Sequence, residues 1–270
     1  MTNPAKQPGS ERESTVDGFA RYPSLAGRTV FVTGGATGIG AEMVAQFARQ
    51  GARVGFVDVQ ERAAADLALE LEALTGTRPW FQACDVAGIG ELTAAIEACA
   101  RALGLVDVLV SNAATDERRG VDDITEQFWD EMLRVNLRPL FFGAQAVTPG
   151  MRQRGRGSII NLGSITWHAG FANVAAYSTA KAGIEGLTRS LARDLGRDGI
   201  RVNCLIPGWT MTRRQLEHWI TPEAEAEIER SQCLPGRVEP ADVARLALWL
   251  AADDSRMCTS QTWVVDGGWT

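Results

Sequence analysis

Between residues 28 and 114, four short apolar runs, RTVFVTG, ARVGFVDV, RPWFQACDV and LVDVLVSNAA, alternate with three segments of helical period, AEMVAQFARQG, ERAAADLALELEALTG and ELTAAIEACARALG. Runs that are apolar at nearly every position have no wet face, so they read as strands covered on both sides. Parallel strands need a crossover between them, and a helix of ten or more residues is the usual crossover. The order βαβαβαβ therefore predicts a parallel sheet with helices on both faces, and right-handed crossovers make it doubly wound. The second half continues in the same style. A long helical stretch is expected from about Thr125 to Arg154, followed by the strand SIINLGS, a helix carrying YSTAKAGIEGLTRSLARDLG, the strand IRVNCLIPG, an amphipathic insert at about 213–232, a helix from Pro240 to Ala251 and a last strand, QTWVVDGG. About seven strands result.

A length of 270 residues with 45% hydrophobic content can bury one sizeable core, and no linker or repeat divides the chain. The expected organisation is a flexible tail over 1–21, which is too polar to offset its ordering entropy, and one domain over 22–270. A net charge of −6 argues against nucleic acid and against anionic membrane surfaces. No apolar run reaches the ~18 residues of a membrane span, and the N-terminus lacks the apolar core of a secretory signal. The five cysteines have neither metal-site spacing nor disulfide density, which points to reduced thiols in a cytoplasmic protein.

TGGATGIG lies directly between the first strand and the first helix, where backbone N–H groups at a helix N-terminus favour an anion. Gly34, Gly38 and Gly40 allow a tight turn, close approach of a pyrophosphate and helix–strand packing. With Asp58 ending the second strand, the arrangement reads as a Rossmann-type dinucleotide site. A carboxylate there accepts hydrogen bonds from ribose hydroxyls and repels a 2′-phosphate, so NAD is expected over NADP. Asp85 and Val86 in CDV and Asn112 in SNAA end the next two strands on the same edge, placed to meet adenine and its ribose. Each is equally suited to being a turn residue.

Tyr177 and Lys181 are four apart on an expected helix, so both side chains share one face. An ammonium beside a phenol favours the phenolate, which makes tyrosine a usable general base near neutral pH. Taken alone, such a pair is more often a surface contact. The surrounding Ala175, Ala176, Ala180, Ala182 and Gly183 leave room for a ligand or another helix.

Taken together, TGGATGIG, SNAA, NLGSITW, YSTAK and PGWTMT resemble the short-chain dehydrogenases/reductases in order and spacing, from about Tyr22 to the end of the chain. The resemblance implies a catalytic tetrad of Asn136, Ser164, Tyr177 and Lys181. Ser164 would bond the reacting oxygen, Tyr177 take its proton, Lys181 hold the nicotinamide ribose and keep Tyr177 acidic, and Asn136 link the lysine to solvent through a water. It also implies cofactor contacts from Thr37 and Ile39 in the glycine loop and from Pro207, Gly208, Thr210 and Thr212 in PGWTMT. Ala114 stands where the family usually has glycine.

A lid at about 211–235 occupies the position where this family closes over substrate. Together with SITWHAGFAN it would bring Trp167, His168, Asn173, Gln215, His218 and Trp219 toward the pocket, alongside Ser164 and Tyr177. Indoles beside amide and imidazole groups suit a polyhydroxylated ring. YPSL, GSITWH, LAADDSRMCTS and VVDGGWT further resemble the NAD-dependent aldose 1-dehydrogenases of the D-xylose and L-arabinose type. That similarity implies oxidation of a pentose at C1 to the aldonolactone, and the wider family implies a homotetramer. The rival readings are a dehydrogenase or carbonyl reductase for a non-sugar alcohol, and a non-catalytic NAD sensor. No metal is expected, since His168 and His218 lack ligand spacing.

Overall fold

In the computed structural model, which describes residues 18–270, seven strands form one parallel sheet. They are β1 (Thr29–Thr33), β2 (Arg53–Asp58), β3 (Trp80–Ala83), β4 (Val108–Ser111), β5 (Gly157–Leu162), β6 (Ile200–Pro207) and β7 (Thr262–Val265). Their order is β3-β2-β1-β4-β5-β6-β7, and every pairing is parallel. The winding reverses between β1 and β4, so the C-terminal ends of these two strands open the crevice in which doubly wound sheets bind ligands.

Nine α-helices complete the described residues: α1 (Gly38–Arg49), α2 (Glu61–Thr75), α3 (Ile89–Leu103), α4 (Glu126–Asn136), α5 (Arg138–Arg154), α6 (Ala175–Leu195), α7 (Arg213–His218), α8 (Pro222–Ser231) and α9 (Pro240–Ala251). Alternation along the strands sorts the core into two layers. Val30 and Val32 of β1 pack with Met43 and Phe47 of α1 and Val243 and Leu248 of α9, whereas Phe31 packs with Leu92 and Ile96 of α3, Val147 of α5 and Leu191 of α6. All of these except Leu191, at 8% exposure, are nearly or fully inaccessible. Burying one such side chain contributes about 1.5–3 kcal/mol, so the two layers hold the sheet rigid beneath the site.

The expected single helix over 125–154 is instead two, α4 and α5, broken at Leu137 (φ −127°, ψ −52°). Pro139 explains the break: it has no N–H for the carbonyl of Val135 and its ring clashes with that turn. The break places Asn136 at a fixed helix end, fully buried.

Of the expected tail over 1–21, residues 1–17 lie outside the described residues. From residue 18 the chain lies against α1 and α9. The Arg245 guanidinium sits 3.6 Å from the Phe19 ring centroid, and Gln50 accepts from the Tyr22 N–H at 2.8 Å while donating to the Ala20 carbonyl. No helix among the described residues is long and apolar enough to cross a membrane.

Candidate active site

The glycine loop between β1 and α1 is shaped by contacts that exclude a side chain. Gly34 has φ +66°, and a Cβ there would lie 2.7 Å from the Ala113 Cα. A Cβ at Gly40 would lie 1.9 Å from the Gly34 carbonyl oxygen. Gly38, at φ +58°, lies beside the Thr212 methyl. Asn112 clamps the loop, its amide donating to the carbonyls of Thr33 (3.1 Å) and Gly34 (2.9 Å), so its side chain fixes the loop's shape. A cleft of about 410 Å³ runs from this loop past Thr37, Ile39, Asp58, Asp85 and Val86 to Thr212. Buried Asp58 accepts from the backbone N–H groups of Ala36 (3.0 Å) and Gln60 (2.9 Å), which orients its carboxylate at the end of β2. Asp85, exposed, accepts from the Ala87 N–H in a local turn. Arg213 and Arg214 of α7 also border the cleft, a contribution that no spacing in the sequence signals. A side-chain-free cradle at a helix N-terminus with an acid one strand away fits a dinucleotide.

β5 and α6 bring together the second group. Ser164 follows β5, is 7% exposed and lies beside the Tyr177 hydroxyl, whose pKa it lowers. Its hydroxyl also accepts from the Thr166 N–H. Lys181, one turn along α6 from Tyr177, is buried and donates to the Leu162 carbonyl at 2.8 Å. Asn136 accepts from the Thr115 N–H (2.9 Å) and donates to the Met132 carbonyl (2.9 Å), so both ends of its amide are held by the protein.

A small cavity of about 150 Å³ opens beside Ser164 and Tyr177, next to the dinucleotide cleft. Its walls include Pro207, Gly208, Trp209, Thr210 and Thr212 after β6, and Gln215 from α7. Thr212 caps α7 by accepting from the Gln215 N–H, while the Thr210 hydroxyl donates to Gly208. Gln215 takes the Trp209 indole N–H at 2.9 Å and donates to Asp116 at 2.7 Å; Arg214 donates to the other Asp116 oxygen at 2.9 Å. These bonds latch α7 onto the loop after β4. Phe171, Trp209 and C-terminal Trp269 pack together behind the cavity.

Five expected pocket residues are not on this wall. Trp167 is 39% exposed and stacks on His168, which pairs with Glu185 of α6 at 3.1 Å, because the chain after β5 turns both rings toward the outer side of α6. Asn173 is exposed with φ +63°, and its carbonyl accepts from the Arg119 N–H. Trp219 reaches the cavity only through Arg118, whose guanidinium lies 4.0 Å from its ring centroid. His218 also lies off the cavity wall, at the end of α7. Asp116, Arg118, Phe171 and Trp209 line the cavity but are not singled out by sequence; Trp209, inside PGWTMT, and Phe171, inside SITWHAGFAN, carry a local signal.

Residues 34–270 match the family model described as enoyl-(acyl carrier protein) reductase. D-xylose 1-dehydrogenase of Caulobacter vibrioides is 50% identical over 250 residues, 93% of this chain and 98% of that protein. A short-chain type dehydrogenase/reductase from Mycobacterium ulcerans superposes with a TM-score of 0.87 at 27% identity, over 91% of this chain and 90% of that one. This chain belongs to the short-chain dehydrogenase/reductase family. A protein of Rhizobium meliloti named probable galactose dehydrogenase GalD is 46% identical over 92% of this chain and 97% of its own length. A 3-oxoacyl-(acyl-carrier protein) reductase of Brucella melitensis solved with bound NAD has a TM-score of 0.82 and 32% identity, over 92% of this chain and 94% of that one.

Short-chain dehydrogenases/reductases use a nicotinamide cofactor, and the protonation of this member's site departs from the expectation of an acidified tyrosine. Burial raises the Tyr177 hydroxyl well above its ordinary value of 10.0 and the Asp116 carboxylate raises it further, against smaller lowering by Ser164 and Arg118. Burial pushes the Lys181 ammonium down to about 8. The lysine is directed at the Leu162 carbonyl and lies over the tyrosine ring, so its charge is poorly placed to favour the phenolate. These directions favour the protonated form of Tyr177.

Proposed function

We propose that this chain oxidises an aldose, a pentose such as D-xylose or L-arabinose first, at its anomeric carbon to the aldonolactone. The cofactor, NAD in this reading, supplies the hydride acceptor. The observation that carries the proposal is the small cavity with Ser164 and Tyr177 on one wall and Asp116, Arg118 and Gln215 on another. Its volume falls below the ~300–1,000 Å³ common for drug-sized ligands, which disfavours a steroid or long acyl chain, and its polar groups suit a ring with many hydroxyls. The similarity to D-xylose 1-dehydrogenase supports the same substrate class.

In this reading Ser164 hydrogen-bonds the reacting hydroxyl oxygen, and Tyr177, after releasing its own proton to solvent with the cofactor in place, receives the substrate's proton as a phenolate. Lys181 holds the ribose next to the reacting ring, and Asn136 fixes the helix end and the Thr115 loop that shape the same wall. Gly34, Thr37, Gly38, Ile39 and Gly40 would hold the pyrophosphate and Asp58 the adenosine ribose. Asp85, Val86 and Asn112 would border the adenosine, and Pro207, Gly208, Thr210 and Thr212 the nicotinamide. Asp58 supports NAD, because a 2′-phosphate would meet a buried carboxylate at the end of β2. Unpaired cysteines, three of them buried, suit a cytoplasmic setting, and a homotetramer is the expected assembly, to be checked by light scattering.

Initial rates of reduced-cofactor formation with NAD and with NADP, against D-xylose, L-arabinose, D-galactose, L-fucose, L-rhamnose and D-glucose, test the proposal. The expected result is strong turnover of a pentose with NAD. Silence on every sugar, with oxidation of a non-sugar alcohol, overturns the substrate; equal efficiency with NADP overturns the cofactor.

A further inference from the structure

Arg118 is the one cation lining the cavity among the described residues. Its guanidinium is stacked at 4.0 Å from the Trp219 ring centroid and 5.5 Å from that of Trp209. Such contacts hold a cation in place while stripping it of water. Asp116, the nearest candidate for an ion pair, is already bonded to Arg214 and Gln215. Among the described residues no acceptor lies within hydrogen-bonding distance of the guanidinium, and its Nε is buried without a partner.

A half-buried guanidinium with five donors and no protein acceptor is costly unless something else accepts from it. Here the remaining space is the cavity that also holds Ser164 and Tyr177. A planar fork of donors matches a pair of neighbouring oxygens, as found on a polyhydroxylated ring. The Asp116 carboxylate close by offsets its charge, which favours a neutral polyol over an anion.

We propose that Arg118 is a substrate-binding residue that donates hydrogen bonds to hydroxyl oxygens of the sugar away from the reacting carbon, and so sets the preference for polyhydroxylated substrates. The proposal rests on the aldose reading above. The two indoles stack on the guanidinium, and Trp219 directly follows α7, so the placement of α7 and substrate recognition are coupled in this proposal.

The test compares wild type with Arg118→Met, which keeps most of the stem and the packing, and with Arg118→Lys, which keeps the charge but loses the fork. Each is assayed for KM and kcat on the best neutral aldose, on its deoxy analogues and on D-gluconate, with NADH affinity as the check on folding. Arg118→Met is expected to raise the aldose KM roughly tenfold to a hundredfold, with NADH affinity unchanged, and to erase discrimination against one deoxy analogue. The acid limb of its kcat/KM profile moves to higher pH, because a positive charge facing Tyr177 has gone, and Arg118→Lys recovers that limb without recovering the discrimination. An unchanged KM and unchanged discrimination in Arg118→Met overturn the inference alone and leave Arg118 as a prop for the lid. A wild type that rejects every neutral aldose, or that prefers the aldonate, overturns the aldose reading and this inference together.

Discussion

The Lys181 ammonium lies 5.6 Å from the centroid of the Tyr177 ring and is bonded to the carbonyl of Leu162, away from the phenol oxygen. A buried ammonium with one backbone acceptor is under-solvated, which is why its pKa falls from 10.5 to about 8. Between those values the unfolded chain holds a proton that the folded chain has released, so folding stability gains from this residue as pH rises from about 8 toward 10.5. Lys181→Met is expected to remove that gain. Urea unfolding at pH 7 and pH 9.5 checks it: the stability of wild type relative to the variant should increase at the higher pH, and a constant difference contradicts the burial argument.

Replacing Tyr177 by Phe removes the proposed proton acceptor while keeping the aromatic ring on α6. Turnover is expected to fall by about 10²- to 10⁴-fold with NADH affinity retained. Steady-state kinetics beside a fluorescence titration of NADH separates this from misfolding.

Asp58→Ala takes the carboxylate from the end of β2. The preference for NAD over NADP should shrink by about tenfold or more, through better use of NADP, as like-charge repulsion is relieved. The ratio of kcat/KM values for the two cofactors is the readout.

Gly40→Ala puts a methyl where the Gly34 carbonyl stands, 1.9 Å away, and backbone cannot swing aside as a side chain can. A loss of at least about 1–3 kcal/mol is expected from the overpacking. Thermal unfolding and NADH titration should show a lower Tm together with weakened cofactor binding.

Gln215→Ala cuts the latch between Trp209, Asp116 and α7. Loss of two buried or half-buried hydrogen bonds should raise the KM for substrate roughly tenfold, with kcat less affected, and should speed proteolysis within 211–235. A protease time course with and without NADH reads the second effect.

The sequence by itself determined the sheet, the glycine loop and the Tyr177–Lys181 pair, while Ser164 entered through the family resemblance. The first three are written in local terms: strands apolar at nearly every position, glycines where a Cβ has no room, and two polar residues one helical turn apart. The helix break at Leu137 had a local cause, Pro139, but the sequence reading expected one helix over 125–154. Tertiary structure alone decided what completes the pocket. Asp116 and Gln215 are 99 residues apart and Arg118 sits in a loop without periodic pattern, so nothing in their spacing announces that they meet. The same holds for Trp167 and His168, which look like pocket residues beside Ser164 until the turn after β5 carries them to Glu185. The raised pKa of Tyr177 belongs to this second kind, because it depends on how deeply the phenol is buried and on an Asp116 carboxylate delivered from a distant loop. Periodicity encodes which surface of an element is dry; it does not encode which loops converge above the sheet, since that follows from the crossovers and the packing of the whole chain.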